Sequence, residues 1–197
     1  MAYDNHFGFS LRMKAAALFV SLTAALFATT AVSAFDLSPS TVTIEGGLTE
    51  DRVDARRYGA NLRWELPLQL FQVGDWHMVS LVEFGINVWD SSKGSTGEDS
   101  LVDFGLAPVL RYEIDPKRGF APFVEAGAGL HLHTQNGLND KDFDIPFAFG
   151  SHVGLGTRFG SDGAYELMYR YQHQSNAGLG DNNPGINFHV LSLGMHF

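Results

Sequence analysis

The stretch LVDFGLAPVLRYEI, residues 101–114, alternates from end to end. Val102, Phe104, Leu106, Pro108, Leu110, Tyr112 and Ile114 share one parity; Asp103, Gly105, Ala107, Val109, Arg111 and Glu113 share the other. Successive side chains of a β-strand point to opposite faces, so this is a strand with one apolar face and one face bearing charge and glycine. It is longer than the roughly 5–6 residues of an average soluble strand. It also covers the roughly 9–11 residues needed to cross a bilayer at a tilt. In a soluble sandwich the apolar face would be core. A small membrane barrel inverts this, with apolar residues outside and polar residues and glycine within.

The same pattern recurs on both sides of this stretch. Upstream, a short candidate strand covers Thr41 to Gly47, and longer ones run from Arg56 to Leu66 and from His77 to Trp89. Arg57, Gly59, Asn61, Arg63 and Glu65 oppose Tyr58, Ala60, Leu62, Trp64 and Leu66 in the first of these longer strands. Downstream, candidates run from Ala121 to His133, Ile145 to Phe159, Ala164 to Ser175 and Asn187 to Phe197. The expected fold is therefore all-β, an eight-stranded antiparallel transmembrane β-barrel. Charged residues and glycines on the second face of the long strands favour it over a sandwich. Short turns at Asp115 to Gly119 and Gly160 to Gly163 alternate with longer polar loops at Asp90 to Ser100, Thr134 to Asp144 and Asn176 to Ile186. Bacterial outer-membrane barrels pair short periplasmic turns with longer external loops in this way. The last strand places Leu191, Leu193, Met195 and Phe197 at alternate positions, which resembles the assembly signal of outer-membrane proteins.

Residues 1–34 read as a signal peptide: Arg12 and Lys14, an apolar run from Ala15 to about Val32, then Val32-Ser33-Ala34 before a cut. The barrel domain is then 35–197, a single domain. The full chain carries a net charge of −9 and no cysteine, with 16 Phe and 22 Gly. An acidic chain without a basic stretch argues against nucleic acid as a partner. An exported chain without disulfides is held by packing or by a closed sheet.

The chemistry-bearing segment is HQSNAGLGDNNPGIN, residues 173–187. His173 and Ser175 are two apart, so on a strand they point the same way. Asn187 has the same parity on the strand beyond a Gly- and Asn-rich turn. A hairpin register pairing Ser175 with Asn187 would pair His173 with His189 and set all four on the lipid-facing side. Acyl transfer needs a nucleophile, a base, and a group that fixes the base's tautomer. Ser175, His173 and Asn187 are the candidates for those catalytic roles. Asn187 can accept the imidazole N–H but supplies no negative charge. Asn176 and Asn183, with Gly178 in the same turn, are the candidates for binding an oxyanion or substrate.

This segment resembles the PagL family of outer-membrane lipid A 3-O-deacylases. Those are eight-stranded barrels with a His-x-Ser pair followed by Asn-Ala-Gly on the outer barrel surface. The resemblance implies His173 as base and Ser175 as nucleophile, and sets Asn176 and Asn183 around the oxyanion hole. It also implies lipid A (lipopolysaccharide) and outer-membrane lipids as partners, no cofactor, and residence in the outer membrane of a Gram-negative bacterium. A homodimer stays open. The family's triad has Glu where this chain has Asn187. Outer-membrane phospholipase A is similar in its third residue, an Asn at the same spacing, but is a larger barrel than 35–197 can form. A phospholipid esterase and a non-catalytic envelope barrel are therefore the alternatives.

His131-x-His133 has metal-ligand spacing but faces the expected interior, and is not taken as a metal site. Asn139 to Asp144 lacks the glycine and terminal Glu of a calcium loop and reads as a solvated external loop.

Overall fold

The structure, a computed structural model, describes residues 38–49, 54–92, 97–115 and 119–197. The expected signal peptide over 1–34 lies outside the described residues, as do 116–118 of the short turn and 93–96 of the first long loop. The strands are β1 (Thr41–Thr49), β2 (Ala55–Val73), β3 (Trp76–Ser91), β4 (Ser100–Ile114), β5 (Phe120–His133), β6 (Gly137–Leu138), β7 (Lys141–Asp142), β8 (Phe147–Phe159), β9 (Tyr165–Ser175) and β10 (Ile186–His196). Eight of them close into a barrel in the order β1-β10-β9-β8-β5-β4-β3-β2, while β6 and β7 form a separate small hairpin. Every ladder is antiparallel, and the β1–β10 pairing from Thr41↔His196 to Thr49↔Phe188 removes the sheet's edges.

Burial follows the inverted pattern expected of a transmembrane barrel. On β4, Asp103 and Arg111 are buried, whereas Phe104 and Leu106 are exposed. Ile44, Val124, Leu132, Val153, Leu155, Leu191 and Leu193 continue the apolar belt on the outer face. Lipid takes the place of water there, so this belt is satisfied rather than stranded.

The lumen is filled by paired charge. Arg63 donates from Nε to Glu83 at 2.7 Å, from Nη2 to Glu125 at 3.1 Å and from Nη1 to Glu166 at 3.4 Å. Arg111 bridges Glu125 and Glu166, each at 2.8 Å. Arg170 bridges Glu83 at 2.8 Å and Glu45 at 2.6 Å, and Arg57 also pairs with Glu45. Each glutamate among these four therefore touches at least one guanidinium, which is what makes buried charge tolerable. The Arg111 guanidinium also lies 3.8 Å above the Phe123 ring centroid.

Three sequence expectations are corrected. First, β2 does not stop at Leu66 but runs on to Val73. Pro67 cannot donate to a ladder. It is tolerated because the β1–β2 ladder ends at Thr41↔Arg63 and the β2 register against β3 shifts between Leu66 and Gln69. Second, the sixth candidate strand begins at Phe147 rather than Ile145. Third, the stretch Asn139 to Asp144 is not simply solvated, since Asn139 and Phe143 are buried. The 134–144 loop around it folds into the β6–β7 hairpin and buries Leu138 and Phe143 against Trp89, Leu101, Ile186 and Phe188. Two apolar residues in a polar loop suffice to dock it over the mouth of the barrel, and Asn139 Nδ2 donates to Ser91 O at 3.0 Å beside them.

Candidate active site

The site sits where β9 and β10 meet, at the end of the barrel that carries the long loops. Alternation puts Tyr169, Tyr171, His173 and Ser175 of β9 on the outer face and Met168, Arg170, Gln172 and Gln174 in the lumen. The β10 partners are Asn187↔His173, His189↔Tyr171 and Leu191↔Tyr169. The expected register, Ser175 with Asn187, is thus off by two residues. The ladder ends at Ile186↔Gln174, because 176–185 form a loop too long for a tight hairpin turn. A shift of two preserves parity, so Asn187 stays on the outer face and now stands directly opposite the histidine.

His173 Nδ1 and Asn187 Oδ1 are 2.7 Å apart. The amide oxygen is an acceptor, so Nδ1 carries the proton and donates. In a neutral ring the lone pair is then on Nε2. Ser175, the next outward residue on β9, pairs with Phe149 of β8 and lies beyond the end of the β10 ladder. His173, Ser175 and Asn187 are all half-buried at the lipid-facing surface.

The loop after Ser175 is held by its own polar groups. Asn176 N–H donates to Asn183 Oδ1 at 3.0 Å. Asn176 Nδ2 donates to Phe143 O at 3.0 Å and to Asn182 O at 2.7 Å, while its Oδ1 accepts from Gly178 N–H at 2.8 Å. Asp181 N–H donates to Asp144 Oδ2 at 2.7 Å. Asn176, directly after Ser175, therefore gathers Gly178 and Asn183 around itself and ties the loop to Phe143, while Asn182 Nδ2 donates to Asp142 O of β7 at 2.9 Å. Asn183 turns its oxygen to Asn176, which makes Nδ2 its donor end.

His189 does not face His173. It stacks on Tyr169 and hydrogen-bonds that residue's hydroxyl through Nδ1 at 2.6 Å. His131 and His133 face the lumen, where His131 Nδ1 donates to Asp103 Oδ1 at 2.8 Å and His133 Nε2 contacts Gln174 Oε1 at 2.9 Å.

Sequence reasoning missed Gly185. Its φ of +59° lies in the left-handed region, and a Cβ there would stand 2.9 Å from His173 Cε1. Only glycine leaves room for the ring at this spot. The Pro184-Gly185 dipeptide signalled a turn, but nothing in the sequence said which side chain the turn must clear. Gly185→Ala is expected to lower turnover by about tenfold or more while the barrel still folds. Steady-state rates on protein of parent-like heat-modifiable gel mobility check this.

A closed barrel with a charge-filled lumen and an apolar outer belt is of the transmembrane β-barrel class, here with a polar row, His173, Ser175 and Asn187, on its outer wall. A family model described as lipid A 3-O-deacylase (PagL) matches residues 56–196, and the chain belongs to that family. The lipid A deacylase PagL of Bordetella bronchiseptica (strain ATCC BAA-588 / NCTC 13252 / RB50) is 30% identical over 125 residues. That alignment covers 63% of this chain and 66% of the relative, just under two thirds of its length. A crystal structure of the outer membrane enzyme PagL superposes with a TM-score of 0.69 at 24% identity, covering 80% of this chain and 99% of that one. That likeness is one of fold.

Proposed function

We propose that the chain is a lipid A 3-O-deacylase of the Gram-negative outer membrane, delivered there by the leader at 1–34. The reading is carried by one observation: the His173 Nδ1–Asn187 Oδ1 bond on the lipid-facing wall of a barrel of this family. In this reading Ser175 Oγ attacks the 3-linked ester carbonyl as His173 Nε2 takes its proton. Asn187 keeps the proton on Nδ1 so that Nε2 is free to act. The tetrahedral oxyanion is met by donors of the 176–185 loop, with Asn183 Nδ2 the side-chain candidate and Asn176 and Gly178 bracing the loop that presents it. His173 then protonates the sugar oxygen as it leaves, an acyl-enzyme forms at Ser175, and water, activated by the same histidine, releases the fatty acid. The acyl chain lies down the wall along Tyr171, Tyr169 and Leu167, which grow more apolar away from the loops.

The test is mass spectrometry of lipid A and phospholipids from cells expressing the parent and Ser175→Ala. Loss of one acyl chain from lipid A in the parent alone supports the reading. Loss from phospholipid instead makes it a phospholipid esterase, and no change in either pool leaves a non-catalytic barrel.

Asn187 tests the third role. Asn187→Leu removes the acceptor and is expected to cut kcat by about 100-fold or more, as a wrong tautomer does in other triads. Asn187→Glu supplies the missing carboxylate, which favours the imidazolium. The acid limb of the pH–rate profile is expected to move up by about one pH unit. A profile identical to the parent's in both variants removes Asn187 from the mechanism.

A further inference from the structure

Ser175 has a neighbour on each side that points inward, and both are tied to the same unit. Gln174 is buried, 1% exposed, immediately behind the His173/Ser175 pair. Its Oε1 accepts from His133 Nε2 at 2.9 Å, and its Nε2 donates to Asp103 Oδ2 at 3.2 Å. His131 Nδ1, which donates to the same carboxylate, lies 3.0 Å from Gln174 Nε2. The His133 ring packs on Trp89 at 4.9 Å and on Phe143 at 5.6 Å between centroids. Phe143 O in turn accepts from Asn176 Nδ2 at 3.0 Å. The unit thus grips β9 through Gln174 on one side of Ser175 and the loop through Asn176 on the other.

Space is made for this unit. The His131 ring lies over Gly105 and Gly150, where a Cβ would come within 2.7 Å and 2.3 Å of ring atoms. Ser175 needs such a grip because its strand has lost one neighbour: the β9–β10 ladder stops at Gln174↔Ile186. A nucleophile displaced by about 1 Å can lose a hundredfold in rate.

We propose that Gln174 is a positioning residue: by spanning Asp103 and His133 from inside the barrel it sets the outward aim of His173 and Ser175. The proposal rests on the reading of those two residues as base and nucleophile. Gln174 touches no substrate and acts only through the backbone it anchors. The same cross-lumen device operates one step below, where Arg57 Nη1 donates to Gln172 Oε1 at 2.6 Å on the other side of His173.

The experiment measures kcat and KM on lipid A in mixed micelles, per mole of barrel with folded gel mobility. Gln174→Leu removes both bonds, and kcat is expected to fall about 10- to 100-fold with KM changed less than about threefold. Gln174→Glu sets a second carboxylate against Asp103 and is expected to fall similarly. Combining Gln174→Glu with Asp103→Asn restores a donor–acceptor pair of reversed polarity, and kcat is expected to return to within about threefold of the parent. This pair carries the test if Gln174→Leu fails to fold. A folded Gln174→Leu with parental kcat, or a swap that restores folding without kcat, overturns the proposal. Ser175→Ala is run alongside. If it still deacylates, the reading of the site has failed; if it is inert while Gln174→Leu is fully active, only the positioning role has.

Discussion

Ser175→Ala is expected to abolish deacylation, with kcat falling by about 10⁴–10⁶. Removing the nucleophile of a serine hydrolase costs this much because the remaining members act as a unit through it. At about 1.4 kcal/mol per tenfold, the loss corresponds to roughly 5–8 kcal/mol of transition-state stabilisation. Residual rate would come from the loop donors and from substrate binding alone. The barrel is expected to keep its stability to within about 0.5 kcal/mol, the usual scale for a change away from core and network. Ser175 stands on the outer face, and the charge-paired lumen is built by residues of the other parity. Single-turnover assays on purified protein, beside heat-modifiable mobility, separate the two effects. A Ser175→Ala barrel that deacylates at even a hundredth of the parental rate would remove Ser175 from the mechanism.

Arg63→Met is expected to have the largest effect on stability, a loss of about 3–5 kcal/mol. Arg63 is 1% exposed and serves Glu83, Glu125 and Glu166 together. Removing it leaves Glu45, Glu83, Glu125 and Glu166 facing Arg57, Arg111 and Arg170, so one buried negative charge lacks its counterpart. An uncompensated buried charge costs about that much, whereas removing a whole pair costs far less. Adding Glu125→Gln to Arg63→Met should therefore recover a large part of the loss. Urea unfolding of the refolded barrel in detergent measures both. Equal midpoints for Arg63→Met and the parent would show that the luminal charges do not act as one network.

Much of the barrel was legible because β alternation is local. Val102 to Ile114 needs no distant residue to declare its two faces, and the inner face of charge and glycine distinguishes lipid outside from a core inside. The His173/Ser175 pair was legible for the same reason, since two residues on one strand share a face wherever the strand goes. The extension of β2 past Pro67 was not. It depends on where β1 stops pairing, which is a property of the other strand. The docking of Leu138 and Phe143 was not legible either, because the apolar mouth that receives them is assembled from β3, β4 and β10.

Fold class, the outward parity of His173, Ser175 and Asn187, and the polarity of the lumen were determined by sequence alone, through a period of two that each strand carries by itself. Which residue meets which was decided only by tertiary structure. Asn187 faces His173 and not Ser175, Gly185 makes room for the imidazole, and Gln174 reaches Asp103 and His133 across the lumen. Register is set by how much chain the loop takes up before the ladder begins. Luminal pairing is set by barrel closure, which brings β4, β5 and β9 within reach of one another. Neither quantity is written in any single strand.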